Sequence, residues 1–355
     1  AEWKDLHLRY TKKYPELSKE WIDAVSGFLP QGWEDAIPKF TDTDGPLATR
    51  GASGKVLNCL AEKIPTLIGG SADLAPSNKT YLDSFDEFQK DSYIGRNIRF
   101  GVREHAMGAI MSGMFLHNGV RPYGGTFLVF ADYMRPSIRV AALMKLPLIY
   151  IFTHDSVAVG EDGPTHQPVE QIAALRAIPG LTVMRPADAE ETADAWIQAI
   201  KNNSGPVALI LSRQKLPLLK RDNSVGIFSS GAYILSESNG KPDAILIATG
   251  SEVHIALEAK LELAKKGVSV RVVSMPSWEK FEEKSMSYRN RILSPGVKIR
   301  VTIEAGITMG WERYAGAGGF MIGISQFGTS APGGDVLEKY GITSGNIIQK
   351  VLNLI

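Results

Sequence analysis

Cysteine is nearly absent from this chain of 355 residues, since Cys59 is the only one. A single thiol excludes an intrachain disulfide and a zinc site built on cysteines, and it is typical of a reducing compartment. The chain also lacks an apolar run near the roughly 20 residues of a membrane-spanning helix, and its first residues lack the pattern of a signal peptide. The sequence therefore predicts a soluble intracellular protein in which Cys59 is a small buried apolar side chain.

An excess of charge of one sign is also lacking. Lys and Arg number 39 and Asp and Glu number 38, which leaves a net charge of +1. This balance gives no reason to expect nucleic acid or a membrane as the partner. Lys55 is not followed by the Ser or Thr of a P-loop, Met321 stands where a dinucleotide fingerprint has glycine, and the histidines lack the spacing of metal ligands. We therefore predict no metal ligand in this chain.

The composition is that of a globular protein, with 44% hydrophobic and 22% charged residues, and the length favours two domains. Short apolar runs alternate with helix-like stretches from about residue 46, which favours βαβ units and a parallel sheet. Strands are predicted at 66–68, 148–152, 181–184 and 207–211. Helices are predicted over 14–28, 106–116 and 188–202, the last with Asp188 as N-cap and Glu191 completing a capping box.

A break in this alternation at 221–230 marks the predicted domain boundary. Further strands are predicted at 244–248, 268–273, 299–303 and 320–324. Ser251 is expected to cap a helix that ends before Gly267. A second, smaller α/β domain is therefore expected after the break.

A charged loop follows the apolar run 148–152. It reads Val-Gly-Glu-Asp-Gly-Pro-Thr-His-Gln-Pro from 159 to 168 and contains Glu161, Asp162 and His166. Open α/β sheets bind ligands in loops at the carboxyl ends of their strands. Taken alone, the loop is equally typical of a solvated turn.

Short motifs along the chain carry a more specific signal. They are Gly-Gly-Ser-Ala-Asp-Leu-Ala-Pro-Ser-Asn at 69–78, Gly-Val-Arg-Glu-His-Ala-Met-Gly at 101–108, Gly-Gly-Thr-Phe-Leu-Val-Phe-Ala-Asp-Tyr at 124–133, Thr-His-Asp-Ser at 153–156, the loop at 159–168, Arg-Pro-Ala-Asp at 185–188, Ser-Arg-Gln-Lys-Leu-Pro at 212–217, Ala-Thr-Gly-Ser-Glu at 248–252 and Phe-Gly-Thr-Ser-Ala-Pro-Gly-Gly at 327–334. In this order and spacing they resemble the transketolase family, thiamine-diphosphate enzymes that move two-carbon ketol units between sugar phosphates.

The resemblance implies an α/β fold of two consecutive three-layer α/β/α domains with mostly parallel sheets. It assigns 1–42 to a linker segment, 43–225 to a pyrimidine-binding domain and 230–355 to a C-terminal domain. The family's Gly-Asp-Gly motif, which with a later Asn anchors the diphosphate through magnesium, does not occur here. An N-terminal diphosphate-binding domain, on a longer chain or a partner chain, is therefore expected to bind the magnesium.

The resemblance also implies where the cofactor binds. Glu104 matches the carboxyl group that holds a proton against the pyrimidine ring nitrogen, whereas without the resemblance a salt bridge to Arg103 would be favoured. Three further residues match the family's aromatic pocket, although their spacing alone is typical of a core-facing helix. They are Phe127, Phe130 and Tyr133. Asp73 and Leu74 match positions near the cofactor at the subunit interface.

The same resemblance implies how sugar phosphates bind. Four residues match the family's phosphate-binding side chains, of which the two arginines offer planar donor forks. They are Arg50, Ser77, His154 and Arg213. Asp162 matches the residue that recognises the hydroxyl next to the substrate carbonyl. His166 matches one that hydrogen-bonds the carbonyl end of the donor and assists proton transfers. Glu104, Asp162 and His166 are thus the expected catalytic residues.

The implied activity is transfer of a ketol unit from a ketose phosphate to an aldose phosphate, as in the pentose phosphate pathway or the Calvin cycle. The chain alone is expected to be inactive, because it needs the N-terminal domain and a homodimer. Alternatives are dihydroxyacetone synthase, deoxyxylulose-phosphate synthase, or a non-catalytic fragment that keeps the dimer interface. The expected compartment is the cytoplasm, with the plastid stroma as the alternative.

Overall fold

Buried apolar strands and covering helices build two α/β units in this chain, whose computed structural model describes residues 2–221 and 226–355. The first unit and the segment before it contain α1 Glu2–Lys13, α2 Pro15–Val25, α3 Thr49–Lys63, β1 Leu67–Ser71, α4 Ala75–Asn78, β2 Asn97–Arg99, α5 Glu104–His117, β3 Arg121–Phe127, α6 Ala131–Leu143, β4 Ile149–Thr153, α7 Gln171–Arg176, β5 Thr182–Met184, α8 Ala189–Lys201 and β6 Val207–Leu211.

The first sheet has six parallel strands in the order β2-β1-β3-β4-β6-β5. Helices cover both faces, which explains why the strands are apolar at successive positions. In β4, Ile149 and Ile151 pack into the core under α3 and α8, while Tyr150 and Phe152 pack into the core under α5 and α6. The chain passes from β1 to β2 on one side of β1 and then returns to β3 on the other side. Because the strand order reverses there, a ligand crevice is expected between β1 and β3.

The second unit contains β7 Tyr233–Ser236, β8 Ala244–Ala248, α9 Glu252–Lys265, β9 Val270–Ser274, α10 Trp278–Glu282, α11 Met286–Leu293, β10 Ile299–Ile303, α12 Glu312–Ala315, β11 Phe320–Ile322, α13 Gly333–Lys339 and α14 Ser344–Leu354. Its sheet has the order β11-β10-β8-β9-β7, and β7 is antiparallel to β9. Both faces carry an apolar core. The predicted fold class, two consecutive α/β units with mostly parallel sheets, is confirmed.

Several local predictions need correction. Asp188 caps α8 by accepting from the Glu191 amide, but the Glu191 carboxylate accepts from the Ala187 amide and leaves the expected capping box open. Ser251 precedes α9 without capping it, because its hydroxyl donates to Glu252. Cys59 is only half-buried. The predicted boundary at 221–230 includes residues 222–225, which lie outside the described part.

The segment expected as a linker contains more structure than one helix. Helices α1 and α2 form an antiparallel pair, with the His7 and Trp21 ring centroids 4.9 Å apart. After it, Trp33 is buried in the core beneath α3. No helix among residues 2–221 and 226–355 is long and apolar enough to cross a membrane.

A buried cluster of ionised groups joins the two units. Arg185, which follows β5, donates to Asp155 at 2.8 Å and to Glu252 of the second unit. Arg176 at the end of α7 forms two hydrogen bonds, of 2.7 and 2.8 Å, with Glu304, which follows β10. Although burial opposes ionisation of Glu304, the two arginines lower its pKa to about 2. The ion pairs therefore fix the second unit against the carboxyl edge of the first sheet.

Candidate active site

Most of the predicted site residues lie at the carboxyl edge of the first sheet. Asp73 follows β1, Phe127 ends β3, His154 follows β4 and Arg213 follows β6. Glu104 begins α5 after the short strand β2. The carboxyl ends of parallel strands share one edge of the sheet. Residues far apart in sequence therefore come together near the crevice between β1 and β3.

Glu104 is the buried acid of this edge, with only 7% of its surface exposed. Its Oε1 accepts a hydrogen bond of 3.3 Å from the hydroxyl of Thr126, the residue before Phe127. The salt bridge to Arg103 does not form, since Arg103 donates to the Phe100 carbonyl oxygen instead. The carboxyl group is therefore held against the end of β3 without a salt bridge to Arg103.

Aromatic rings form a wall at the end of β3, starting at the residue after Thr126. Phe127 and Phe130 are stacked with their centroids 5.8 Å apart and their planes inclined by 11°. The imidazole of His154 packs on Phe127 at 3.7 Å, and that of His166 lies 5.6 Å from Phe130. Tyr133 is 67% exposed and lies 6.1 Å from Phe130, so it extends the wall toward solvent. These side chains come from the end of β3, the turn after it and the start of α6, not from one core-facing helix.

A concentration of positive charge lies beside His154. Arg50 donates to the carbonyl oxygen of Ser77 at 2.8 Å. Burial lowers the pKa of Arg50, and the charge of Arg213 lowers it further. Among the described residues, neither guanidinium has a carboxylate within salt-bridge distance. Two guanidinium groups without a carboxylate partner in the described chain, one of them positioned by the Ser77 carbonyl oxygen, form an arrangement suited to an anion.

His154 is a neutral imidazole in this setting. Burial, followed by the charges of Arg50 and Arg213, lowers its pKa to about 3. Its backbone has φ of 62°, in the left-handed region that non-glycine residues rarely adopt. Such strain is maintained where surrounding contacts fix the residue.

A chain of hydrogen bonds sets the tautomer of His154. The Ser71 hydroxyl donates to Oδ1 of Asn78, and Nδ2 of Asn78 donates to the Thr153 hydroxyl at 2.6 Å. The Thr153 hydroxyl accepts from Asn78, and its own proton is available for its other contact, Nδ1 of His154, 2.8 Å away. Since Nδ1 accepts, the imidazole carries its proton on Nε2 and can donate there.

The remaining predicted residues are less tightly connected. Asp162 is exposed, and its loop is fixed by a hydrogen bond of 2.7 Å from Ser330 to the Glu161 carbonyl oxygen. Asp73 is exposed with φ of 59° and lines a cavity of about 410 Å³ together with Arg99. Across the described chain, no hydrogen bond or ion pair joins Asp73 or Asp162 to the aromatic wall. Leu74 is half-buried, and its amide donates to the Ser71 hydroxyl.

Four polar residues that support the site were given no role from the sequence. They are Ser71, Asn78, Thr126 and Thr153. All lie in the motifs at 69–78, 124–133 and 153–156, and all are buried at or beside the carboxyl ends of strands. A polar residue that ends an apolar strand was the available signal, because a buried hydroxyl or amide needs a partner.

Comparison with known proteins covers both α/β units. The model for the transketolase pyrimidine-binding domain matches residues 45–218, and the model for the transketolase-like C-terminal domain matches residues 231–343. Transketolase of Geobacillus stearothermophilus is 49% identical over 358 residues, which cover 100% of this chain and 53% of that protein. The chain therefore spans about half the length of the curated relatives it matches.

Solved structures agree. Transketolase of Leishmania mexicana superimposes with a TM-score of 0.94 at 41% identity, covering 99% of this chain and 52% of that one. Transketolase of Pichia stipitis in complex with sedoheptulose-7-phosphate has the same TM-score and coverage at 39% identity. A split-gene transketolase, an inactive beta4 tetramer, has a TM-score of 0.68 at 24% identity, covers 87% of this chain and 98% of that one, and shows the fold alone. From both family models and these relatives, the chain belongs to the transketolase family.

Proposed function

We propose that this chain is the C-terminal portion or subunit of a transketolase, which moves a two-carbon ketol unit from a ketose phosphate to an aldose phosphate. The observation that carries the proposal is that the buried carboxyl group of Glu104 accepts a hydrogen bond from Thr126, the residue before Phe127, whose ring is stacked with that of Phe130. In this view residues 43–225 are the pyrimidine-binding domain and 230–355 the C-terminal domain.

The residues present suit the pyrimidine end of thiamine diphosphate. Parallel Phe127 and Phe130 rings offer a flat apolar wall, and aromatic contacts contribute about 0.5–1.5 kcal/mol per pair beyond burial. When bound, the cofactor supplies an acidic ring carbon that takes up the ketol unit. Glu104 holds a proton at its carboxyl oxygen and shares it with a pyrimidine nitrogen. Leu74 and Asp73, at the end of β1, belong to the same cofactor region.

Arg50, Ser77, His154 and Arg213 act as the phosphate clamp of the substrate. Within the described chain neither guanidinium has a carboxylate partner, so both, together with the Nε2 proton of His154, would donate to the phosphate. Asp162 and His166 serve the reacting end of the sugar, where His166 faces the aromatic wall and Asp162 selects a hydroxyl. Selection by hydroxyl is effective because an unpaired buried polar group costs about 1–3 kcal/mol.

Magnesium and the diphosphate would be held by the N-terminal half that the relatives have in addition. A homodimer is the proposed assembly, and helices α5 and α6 offer a surface for it. Both helices carry exposed apolar residues, and patches of such residues mark interaction sites. They are Ile110, Leu116, Val140 and Leu143. The chain alone would be inactive, and the cytoplasm or the plastid stroma would be its compartment.

The phosphate clamp also favours transketolase over its relatives in chemistry. Dihydroxyacetone synthase uses formaldehyde as acceptor. Formaldehyde carries no phosphate, so a phosphate clamp with two arginines would not help to bind it. Deoxyxylulose-phosphate synthase is the other enzyme that the resemblance allows. A dimerising fragment without catalysis would need neither a buried Glu104 nor the network that orients His154.

Reconstitution tests this function. The chain is mixed with the N-terminal half of Geobacillus stearothermophilus transketolase, thiamine diphosphate and magnesium, and ketol transfer from xylulose 5-phosphate to ribose 5-phosphate is measured. Activity is expected for the mixture only. Glu104→Gln should lower kcat by about 10²–10⁴-fold, the range of general acid-base catalysis.

The exposed Glu161 provides the matched control, and Glu161→Gln should leave kcat unchanged. If the two halves associate and bind the cofactor without any ketol transfer, the proposed activity is wrong. If Glu104→Gln is as active as the parent, its assigned role is wrong.

A further inference from the structure

The N-terminal hairpin, defined as residues 2–28, exposes an unusual amount of apolar surface. Ten of the 29 large hydrophobic side chains exposed in the described chain belong to it. They are Trp3, Leu6, Leu8, Tyr10, Tyr14, Leu17, Trp21, Ile22, Val25 and Phe28. Single exposed apolar residues are ordinary, but contiguous patches mark surfaces that bind a partner.

Packing inside the hairpin uses only part of this surface. Trp3, His7 and Trp21 touch between the two helices, and even there Trp3 remains 63% exposed. Helix α1 has 12 residues and none of them is buried. Helices of this length are marginal in water unless an apolar face packs on something else. The hairpin therefore has an apolar surface on which no other part of the described chain packs.

The hairpin is nevertheless held at a defined place on the first unit. Asn118 donates to the Val25 carbonyl oxygen at 2.7 Å, and Arg121 donates to the Gly27 carbonyl oxygen at 2.7 Å. Arg121 is the first residue of β3, so the hairpin lies at the amino edge of the sheet. The candidate site lies at the opposite, carboxyl edge. A partner on the hairpin would thus bind away from Glu104 of the same chain.

The charge of the hairpin narrows the kind of partner. Residues 2–28 contain five Lys or Arg and five Asp or Glu, a net charge of zero apart from His7. Amphipathic helices that bind membrane surfaces are rich in Lys and Arg on their polar face. The balanced charge and the aromatic surface instead fit a protein surface with an apolar groove.

The relatives indicate which protein surface this is. The chain matches their C-terminal half, so their additional residues come before the position that the hairpin occupies. We propose that the hairpin is the docking element for the polypeptide equivalent to that N-terminal half, whether it is joined to this chain or separate. This inference rests on the function proposed above and names the surface through which the two halves associate.

Serine substitutions on the hairpin test the inference. Leu6 and Leu17 are 52% and 54% exposed, so Leu6→Ser and Leu17→Ser should leave the thermal unfolding of the chain unchanged. Their Kd for the N-terminal half of Geobacillus stearothermophilus transketolase, measured by calorimetry, should each rise about tenfold or more, the effect of losing a buried leucine. Leu261, 65% exposed on α9, gives the control Leu261→Ser, which should bind like the parent.

The outcomes separate this inference from the proposed function. No association of the parent chain with that half would overturn both. Association and ketol transfer that are equally strong with Leu6→Ser and Leu17→Ser would overturn the docking role and leave the proposed function standing. Sedimentation that shows the two variants dissociating a dimer of this chain, with unchanged affinity for the other half, would assign the hairpin to self-association and overturn the inference.

Discussion

His154 shows how much a single residue in this site depends on its neighbours. It adopts a left-handed backbone, packs on Phe127 with the ring planes inclined by 31°, and forms a hydrogen bond with Thr153. The motif predicted a role for His154, but its charge follows from burial and from Arg50 and Arg213, and its tautomer depends on Asn78 through Thr153. Side-chain roles of this kind depend on pairs far apart in sequence, and no local pattern predicts them.

The first prediction concerns the tautomer. Thr153→Val removes the hydroxyl that donates to Nδ1, so the imidazole proton is no longer directed to Nε2. We expect KM for phosphorylated sugars to rise about tenfold or more in the reconstituted enzyme, because a hydrogen bond to a charged group contributes about 1.5–3 kcal/mol. Thr153→Ser keeps the hydroxyl and should restore KM. An equal rise for unphosphorylated sugars would contradict the role of His154 in the clamp.

The second prediction concerns the pH dependence of stability. The pKa of His154 is about 3 in the folded chain and about 6.5 when unfolded. Between these values the unfolded state binds the extra proton, so His154 contributes stability that is complete above pH 6.5 and is lost as the pH falls toward 3. The comparison is with His154→Asn, since asparagine tolerates the left-handed backbone.

The free energy of unfolding by urea is measured for both proteins between pH 5 and 8. The parent minus variant difference should be constant above about pH 7 and should shrink below pH 6.5 by a slope approaching about 1.4 kcal/mol per pH unit. A difference that does not depend on pH would mean that the folded chain binds a proton at His154 normally.

At the scale of elements, the apolar strands were the most predictable part of the fold. The strands at 207–211 and 244–248 have the predicted bounds, because both faces of each are buried and every residue is apolar. The strand at 299–303 also has the predicted bounds, although it contains Arg300 and Thr302 and only its last three residues are fully buried. Strand β3 was not predicted, since Gly124 and Gly125 interrupt the pattern. A Cβ atom at Gly124 would lie 2.5 Å from the sulfur of Met111, so this glycine allows α5 to pack close to the sheet. Close approach of a helix is a tertiary requirement that composition does not reveal.

The prediction that Ser251 caps α9 was wrong for a similar reason. Ser251 has the right residue type and position, but Arg185 from the first unit donates to it and its hydroxyl turns to Glu252. Glu191 likewise accepts from Tyr233 and Ser274 of the second unit. Predictions from local sequence fail where the two units meet. Buried charged groups there need hydrogen-bond partners, and they bind the side chains that would otherwise cap a helix.

The third prediction addresses the ion cluster that joins these elements. Arg185→Met would leave Asp155 and Glu252 buried without their cation and should lower the free energy of unfolding by about 3–5 kcal/mol at pH 7. Arg289→Met, which removes a partly exposed pair with Glu282, should cost about 0–1 kcal/mol. Urea unfolding followed by circular dichroism measures both.

At acid pH the decrease in the free energy of unfolding caused by Arg185→Met should be smaller, since protonation of the carboxyl groups of Asp155 and Glu252 removes the buried charge. A loss as small as that of Arg289→Met would mean that the cluster adds little to the stability of the interface.

At the scale of the whole molecule, the hairpin and the candidate site lie at opposite edges of one sheet. The strands between them have about five residues, which span about 16 Å at 3.3 Å per residue. A domain docked on the hairpin is therefore anchored about one strand length away from Glu104 of the same chain. Because the proposed assembly is a homodimer, we infer that the diphosphate-binding half over each site comes from the other copy.

The fourth prediction follows for the assembly. The chain and the N-terminal half of Geobacillus stearothermophilus transketolase should form a complex with two copies of each, as measured by analytical ultracentrifugation. Leu143→Ser on α6, 73% exposed, should dissociate it into complexes with one copy of each that retain docking but lack ketol transfer. An active complex with one copy of each would show that one partner completes the site.

The separation of the two edges also has a genetic consequence. A chain with Glu104→Gln keeps an intact hairpin, and a chain with Leu6→Ser and Leu17→Ser keeps an intact Glu104. In a hybrid, the half recruited by the first chain completes the pocket of the second. Two alleles that are each defective should therefore complement one another when expressed together, and the recovered turnover should approach that of one functional pocket per hybrid.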